Sequence, residues 1–126
     1  EATQRARSRR MFGRTLADFQ LTQKKLGEMA VAIDASALLV YRAAVMKDLH
    51  QNYDQAAAMA KLFASETAMR HTVEAVQIHG GYGFVKEYHV ERLMRDAKIT
   101  QIYEGTSEVQ RIVISRNVLN GELYVG

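Results

Sequence analysis

The stretch that decides the fold is residues 52–79, NYDQAAAMAKLFASETAMRHTVEAVQIH, which contains neither proline nor glycine. Alanine recurs in it every four residues, at Ala56, Ala60, Ala64 and Ala68. This spacing lines one helix face with small side chains, against which a neighbouring helix packs closely. Asn52, with Gln55 three residues later, has the pattern of an N-cap, and Gly80 that of a left-handed helix terminator. The sequence therefore predicts a long helix that ends near residue 79.

The rest of the chain also has helical periodicity, interrupted only at glycines. A second long helix is predicted over about residues 18–49, with one buried stripe at Leu26, Met29, Ile33, Ala37, Val40 and Ala44. Shorter helices are predicted at about 90–97 and 107–119, and residues 1–10 have the character of a helix interior. No strand alternation, repeat or linker is evident. The predicted fold class is all-α, an antiparallel bundle of the four-helix type.

The composition excludes some classes of protein and some kinds of site. The 126 residues, 48% hydrophobic and 25% charged, fit a single globular domain spanning 1–126. No apolar run of about 20 residues and no signal peptide is recognised, so membrane insertion is not expected. The absence of cysteine excludes disulfides and zinc-thiolate sites. Because the chain starts with Glu1 in a helix-like stretch, we expect it to be a fragment that lacks an upstream part.

The net charge is +3, and much of the basic excess lies in one cluster: Arg5, Arg7, Arg9, Arg10, Arg14, Lys24 and Lys25. Its arginines are not interleaved with aromatic residues and match no nucleic-acid motif, so nucleic-acid binding is not expected. Solvated surface is the default interpretation, and a compact anion is the alternative.

Metal and hydrolase chemistry find no support in the spacing of side chains. A di-iron bundle needs Glu-x-x-His pairs, and only the reverse order occurs, once, from His71 to Glu74. The remaining histidines, His50, His79 and His89, have no matching carboxylates, which indicates isolated or surface residues and no metal. No Gly-x-Ser-x-Gly elbow is present.

The segment IYEGTSE at residues 102–108 places a carboxylate in a glycine turn before a helix N-terminus. Two interpretations are open. Free backbone N–H groups at such a turn can bind an oxyanion or phosphate. Alternatively, Thr106 or Ser107 is simply an N-cap and Glu108 complements the helix dipole.

Four motifs taken in order resemble the acyl-CoA dehydrogenase family: RRMFG at 9–13 with Gln20, QIHGGYG at 77–83, RDAKI at 95–99 and IYEGTSE at 102–108. The resemblance extends to about Leu119 and implies the family's C-terminal helical domain. It implies that Glu104 is the catalytic base that removes the α-proton of an acyl-CoA while the β-hydrogen leaves as hydride to FAD. It further implies that Tyr103 and Gly105 contact the substrate.

The resemblance also implies an FAD-binding set: Arg9, Phe12, Gln20, Gln77, Gly80, Gly81, Thr106 and Glu108. Arg9, Phe12 and Gln20 would contact FAD bound mainly by a partner subunit, which gives the basic cluster a pyrophosphate to bind. Gln77, Gly80 and Gly81 would line the adenosine end of the same cofactor across a dimer interface, and Thr106 and Glu108 would contact the flavin.

For the intact protein, the resemblance implies an N-terminal helical domain and a middle β-domain that are absent here. It implies a homotetramer, a dimer of dimers, that acts on short- or medium-chain acyl-CoA and passes electrons to electron-transferring flavoprotein. The implied compartment is the bacterial cytoplasm or the mitochondrial matrix. An acyl-CoA oxidase and a non-catalytic helical assembly module of the same descent are the alternatives.

Overall fold

The computed structural model describes residues 1–121, so the end of the predicted 1–126 domain lies outside the described residues. Five α-helices and one two-stranded hairpin follow along the chain: α1 (Ala2–Ser8), β1 (Arg10–Met11), β2 (Arg14–Thr15), α2 (Gln20–Asp48), α3 (Asp54–His79), α4 (Val90–Thr100) and α5 (Ser107–Leu119). Short 3-10 turns occupy Leu16–Asp18 and Gly80–Gly83. The predicted all-α class is confirmed.

Helix α3 is the centre of the domain, and it packs against α1, α2, α4 and α5. The predicted small-residue side of α3 packs inward, since Ala56 and Ala60 are buried and Ala64 and Ala68 are half-buried. Helices α2 and α3 are antiparallel, because Lys25 near the beginning of α2 pairs with Glu74 near the end of α3. Helix α5 also packs against α3, and Arg111 of α5 pairs with Glu66 of α3.

The hairpin is a feature that the sequence did not predict. Its strands pair Arg10 with Thr15 and Met11 with Arg14. Two residues per strand are too short to produce a recognisable alternation. The tip holds Phe12 and Gly13 at φ values of 51° and 78°, and two successive positive φ values are typical of tight hairpin turns.

The stripe predicted for α2 is wrong at three of its six positions. Leu26, Met29 and Ala37 are half-buried, but Ile33 is 61% exposed, Val40 is 47% exposed and Ala44 is also exposed. From Met29 to Met46, apolar residues lie on nearly every side of α2, so periodicity could not identify which face packs on α3. Over Gln20–Asp48 the helix is also long and apolar enough, by length and composition, to cross a membrane, which corrects the expectation that no such run exists.

The helix ends differ from the predictions in detail. Tyr53, and not Asn52, is the N-cap of α3, while Asn52 Oδ1 accepts from the Asp54 N–H at 3.2 Å. Gly80 ends α3 with a positive φ of 63° but a ψ of −141°, so it is not a left-handed helical cap. The predicted 107–119 helix is confirmed to the residue.

Candidate functional site

The turn between α4 and α5 carries Glu104 in a strained conformation. Glu104 has a φ of 52° and Gly105 a φ of 90°. A non-glycine residue at positive φ costs of the order of 1–3 kcal/mol and persists only when its surroundings enforce it. Around this turn, the Ser107 N–H donates to the Gln101 carbonyl at 3.0 Å. This bond closes the loop but leaves the peptide groups of Glu104 and Gly105 to be held by other residues.

Two side chains from outside the turn bind its carbonyl oxygens. Lys61 of α3 donates from Nζ to the Gly105 carbonyl at 2.5 Å. Gln110 of α5 donates from Nε2 to the Glu104 carbonyl at 3.3 Å and to the Gly105 carbonyl at 3.2 Å. The φ of 90° favours glycine at position 105, and a Cβ there would lie 2.7 Å from Gln110 Nε2, so the Gln110 amide would have to move.

The Glu104 carboxylate is exposed, and within residues 1–121 it makes no hydrogen bond or ion pair. It borders a hollow of about 430 Å³ whose other lining residues are Asp54, Ala57, Ala58, Lys61, Gln110 and Val113. The amide N–H of Glu104 likewise has no acceptor in the described part of the chain. A proton acceptor and a hydrogen-bond donor are therefore both free at one residue.

The N-terminus of α5 is capped by its own residues. Thr106 Oγ1 accepts from the Val109 N–H at 3.4 Å. The backbone N–H of Glu108, and then the Thr106 hydroxyl, lower the pKa of the Glu108 carboxyl below its usual value. Glu108 is thus an anion at the positive end of α5. The prediction that Thr106 caps α5 is confirmed.

A larger hollow, of about 690 Å³, lies at the other end of α3. Four residues of the predicted cofactor set line it: Arg9, Gln77, Gly80 and Gly81. Arg5 and Lys25 add positive charge, with the Arg5 guanidinium 4.8 Å from the centre of the Tyr82 ring and Lys25 paired with Glu74. Apolar side chains form much of the remaining wall: Met11, Leu16, Leu21, Ile78 and Val85.

The other four predicted cofactor residues lie outside this hollow. Phe12 is 87% exposed at the tip of the hairpin, and Gln20 is exposed at the first residue of α2. Thr106 and Glu108 belong to the Glu104 turn. From Lys61 to Gln77, α3 separates the two regions by about 24 Å at about 1.5 Å per residue. The described part of the chain therefore presents two separate candidate regions.

Sequence reasoning missed several residues of both regions. Arg5 and Lys25 were visible only as members of the basic cluster, and Lys61 and Gln110 gave no local signal, because their partners are defined by tertiary contacts. Of the histidines predicted to be isolated or at the surface, His79 is buried, and its Nδ1 lies 2.8 Å from the Ala75 carbonyl.

Comparison with known proteins gives a consistent relationship. The family model described as "Acyl-CoA dehydrogenase, C-terminal domain" matches residues 1–119. A short-chain specific acyl-CoA dehydrogenase of Clostridium acetobutylicum is 51% identical over 118 residues, covering 94% of this chain and 31% of the relative. The CarC subunit of the caffeyl-CoA reductase-Etf complex of Acetobacterium woodii is 48% identical, with 94% and 31% covered.

Among solved structures, butyryl-CoA dehydrogenase from Megasphaera elsdenii superimposes with a TM-score of 0.92 at 50% identity, over 94% of this chain and 31% of that one. The chain thus spans about a third of the length of the relatives it matches.

Proposed function

The chain belongs to the acyl-CoA dehydrogenase family, whose C-terminal domain it matches over residues 1–119, and we propose that it supplies the catalytic base of an FAD-dependent enzyme that converts acyl-CoA thioesters to trans-2-enoyl-CoA. Glu104 is the base, and Tyr103 and Gly105 flank the acyl chain. The intact protein also contains an N-terminal helical domain and a middle β-domain. Relatives named for short-chain and butyryl substrates support a short straight acyl chain.

The observation that carries this proposal is the unpaired state of Glu104. Its carboxylate has no partner in residues 1–121, so it is available to accept the α-proton of the thioester. The N–H of the same residue is free to donate to the thioester carbonyl, whose oxygen gains negative charge as the proton leaves. The proton acceptor then acts at the α-carbon, and the hydrogen-bond donor acts at the carbonyl oxygen, of one thioester.

The hollow at the other end of α3 fits an FAD molecule held with a partner subunit. Its lining combines cations for a pyrophosphate, the amide of Gln77 and an apolar wall for a ring system. Arg9 has no ion pair within residues 1–121, so its guanidinium is available to a phosphate. Phe12 and Gln20 add contacts from the neighbouring hairpin and α2, and Thr106 and Glu108 add contacts at the Glu104 turn. Bound FAD supplies the acceptor for the β-hydride.

The exposed apolar face of α2 supports assembly into a homotetramer, a dimer of dimers. Ile33 and Val40 lie on this face, and an apolar face of this size is typical of a subunit interface. We expect light scattering of the intact protein to give a tetramer and Ile33→Asp to give smaller species. A monomer with full FAD content by absorbance would contradict both the assembly and the shared cofactor.

A second candidate function is the reverse reaction, reduction of an enoyl-CoA, because a relative 48% identical is named as a reductase subunit in an Etf complex. Electron-transferring flavoprotein is the proposed electron partner in either direction. Assays with this flavoprotein against molecular oxygen separate the dehydrogenase from an acyl-CoA oxidase. The bacterial cytoplasm and the mitochondrial matrix are the proposed compartments.

The test of the proposal is Glu104→Gln in the intact protein. Glutamine keeps the shape and the backbone N–H but cannot accept the α-proton, so anaerobic flavin reduction by butyryl-CoA should slow by roughly 10²- to 10⁴-fold. FAD content and acyl-CoA binding should stay near wild type. A rate within a few fold of wild type would remove Glu104 from the role of base.

A further inference from the structure

The Glu104 turn is fixed from outside, by one side chain of α3 and one of α5. Lys61 lies 44 residues before Gly105 in sequence, and its ammonium donates to the Gly105 carbonyl. Gln110 reaches back and donates to the carbonyls of both Glu104 and Gly105. The two donors therefore bind the two peptide groups whose φ values are positive.

These bonds matter because nothing within the turn enforces the conformation of Glu104. The local backbone bonds are made by Tyr103 to the Ile99 carbonyl and by Ser107 to the Gln101 carbonyl, on either side of the strained pair. With a left-handed φ, Glu104 would return to an ordinary conformation if released. That rotation would reorient both its side chain and its N–H.

Lys61 binds a neutral carbonyl group although two carboxylates lie nearby. Two carboxylates, Asp54 and Glu104, border the same hollow, yet neither pairs with the Lys61 ammonium within residues 1–121. Its half-buried side chain binds a neutral carbonyl instead. A lysine bound in this way fixes the backbone of the turn and leaves the Glu104 carboxylate unpaired.

We propose that Lys61, with Gln110, is a positioning residue that holds Glu104 in the orientation required for proton abstraction. Lys61 acts through the Gly105 carbonyl and does not itself touch substrate. The catalytic part of this inference rests on the proposed function of Glu104. The structural part, that Lys61 fixes the turn, stands on the contacts alone.

The experiment compares variants at Lys61 and at Gln110, with one control, in the FAD-loaded intact protein. Lys61→Met keeps the length of the side chain and removes the donor, Lys61→Arg restores a donor, and Lys47→Met removes an exposed lysine from the last turn of α2 as a matched control. Each is measured by the anaerobic rate of flavin reduction with butyryl-CoA, by butyryl-CoA affinity, and by hydrogen exchange of peptides covering residues 101–112.

Loss of a hydrogen bond to a charged group should speed exchange at Ser107 and Val109 by about 10-fold or more in Lys61→Met. Misplacement of the base should slow flavin reduction by about 10- to 100-fold, with butyryl-CoA affinity within about twofold of wild type. Lys61→Arg and Lys47→Met should stay close to wild type in all measurements. Gln110→Leu should show the same pattern as Lys61→Met, to a smaller degree.

Unchanged exchange in Lys61→Met would overturn the inference even if the rate fell, because the ammonium would then act by charge alone. Faster exchange with an unchanged rate would overturn it as well, because the position of the turn would not limit proton abstraction. Failure of the proposed function has a different signature: wild-type flavin is not reduced by acyl-CoA, or Glu104→Gln is as fast as wild type. The exchange data still decide in that case whether Lys61 fixes the turn.

Discussion

The two ends of α3 carry two kinds of site. At the Lys61 end, one carboxylate is held in a strained turn by a few long-range hydrogen bonds. At the Gln77 end, a hollow is lined by many residues, of which Gly80 alone has a positive φ. A site that depends on one orientation should be sensitive to small displacements, whereas a site that distributes binding over many contacts should tolerate single substitutions. The geometry of the Glu104 turn should therefore govern the rate of flavin reduction. The lining of the hollow at the Gln77 end should govern how tightly the cofactor is retained.

The largest effect predicted from this contrast belongs to Gly105→Ala. The new Cβ would lie 2.7 Å from Gln110 Nε2, so the Gln110 amide that binds the turn must move, and the φ of 90° is one that alanine disfavours. We expect both changes to displace the turn. We expect flavin reduction by butyryl-CoA to fall by about 100-fold, since displacements near 1 Å can cost that much, with FAD content unchanged.

Gly27→Ala is the matched control for this change. Gly27 lies within α2, and a Cβ there would meet nothing within 4 Å. Alanine in a helix should raise the free energy of unfolding by about 0.5–1 kcal/mol and leave the rate unchanged. If Gly105→Ala proved as harmless as Gly27→Ala in stopped-flow flavin reduction, the turn would not be the rate-governing site.

A smaller effect is predicted at the hollow, for Arg9→Met. Its guanidinium is one of several cationic groups there, so its loss should weaken FAD retention by about 10-fold, within the range for a hydrogen bond to a charged group. Once loaded with FAD, the variant should reduce flavin at nearly the wild-type rate. Arg116→Met, in the last turn of α5, serves as the control for loss of charge.

FAD retention is measured by equilibrium dialysis at fixed ionic strength, and the rate by stopped flow on the saturated sample. The contrast between the two ends of α3 fails if Arg9→Met lowers the rate of the saturated protein as much as Gly105→Ala does.

The same contrast explains what the sequence could predict. The order and the approximate bounds of α2 to α5 follow from helical periodicity and glycine positions, and the family follows from motifs that are each contiguous in sequence. Lys61 and Gln110 were missed because their function depends on a tertiary approach that leaves no local pattern. The buried face of α2 was misassigned because a helix that is apolar on most sides carries no periodic signal for one partner.

The smallest predicted effect concerns His71, which packs between α2 and α3 midway between the two sites. Burial lowers the pKa of its imidazole, and the neighbouring Arg70 guanidinium lowers it further, while Glu28 and Glu74 oppose this shift. Its Nδ1 has no hydrogen-bond partner among the described residues. The folded protein thus binds a proton at His71 less readily than the unfolded chain does.

In the unfolded chain, His71 has a pKa near 6.5 and binds its proton as the pH falls through that value. The folded protein binds this proton less readily, so the free energy of unfolding falls as the pH falls from about 7.5 to 5.5. His71→Gln removes the titrating group and should reduce this slope without changing flavin reduction at pH 7.5. Urea melts at the two pH values measure the slope, with His89→Gln in an exposed position as the control. A slope that is identical in wild type and His71→Gln would mean that other groups account for the pH dependence. The separation of the two sites implies that the middle of α3 takes no part in catalysis. A changed rate of flavin reduction at pH 7.5 in His71→Gln would contradict this.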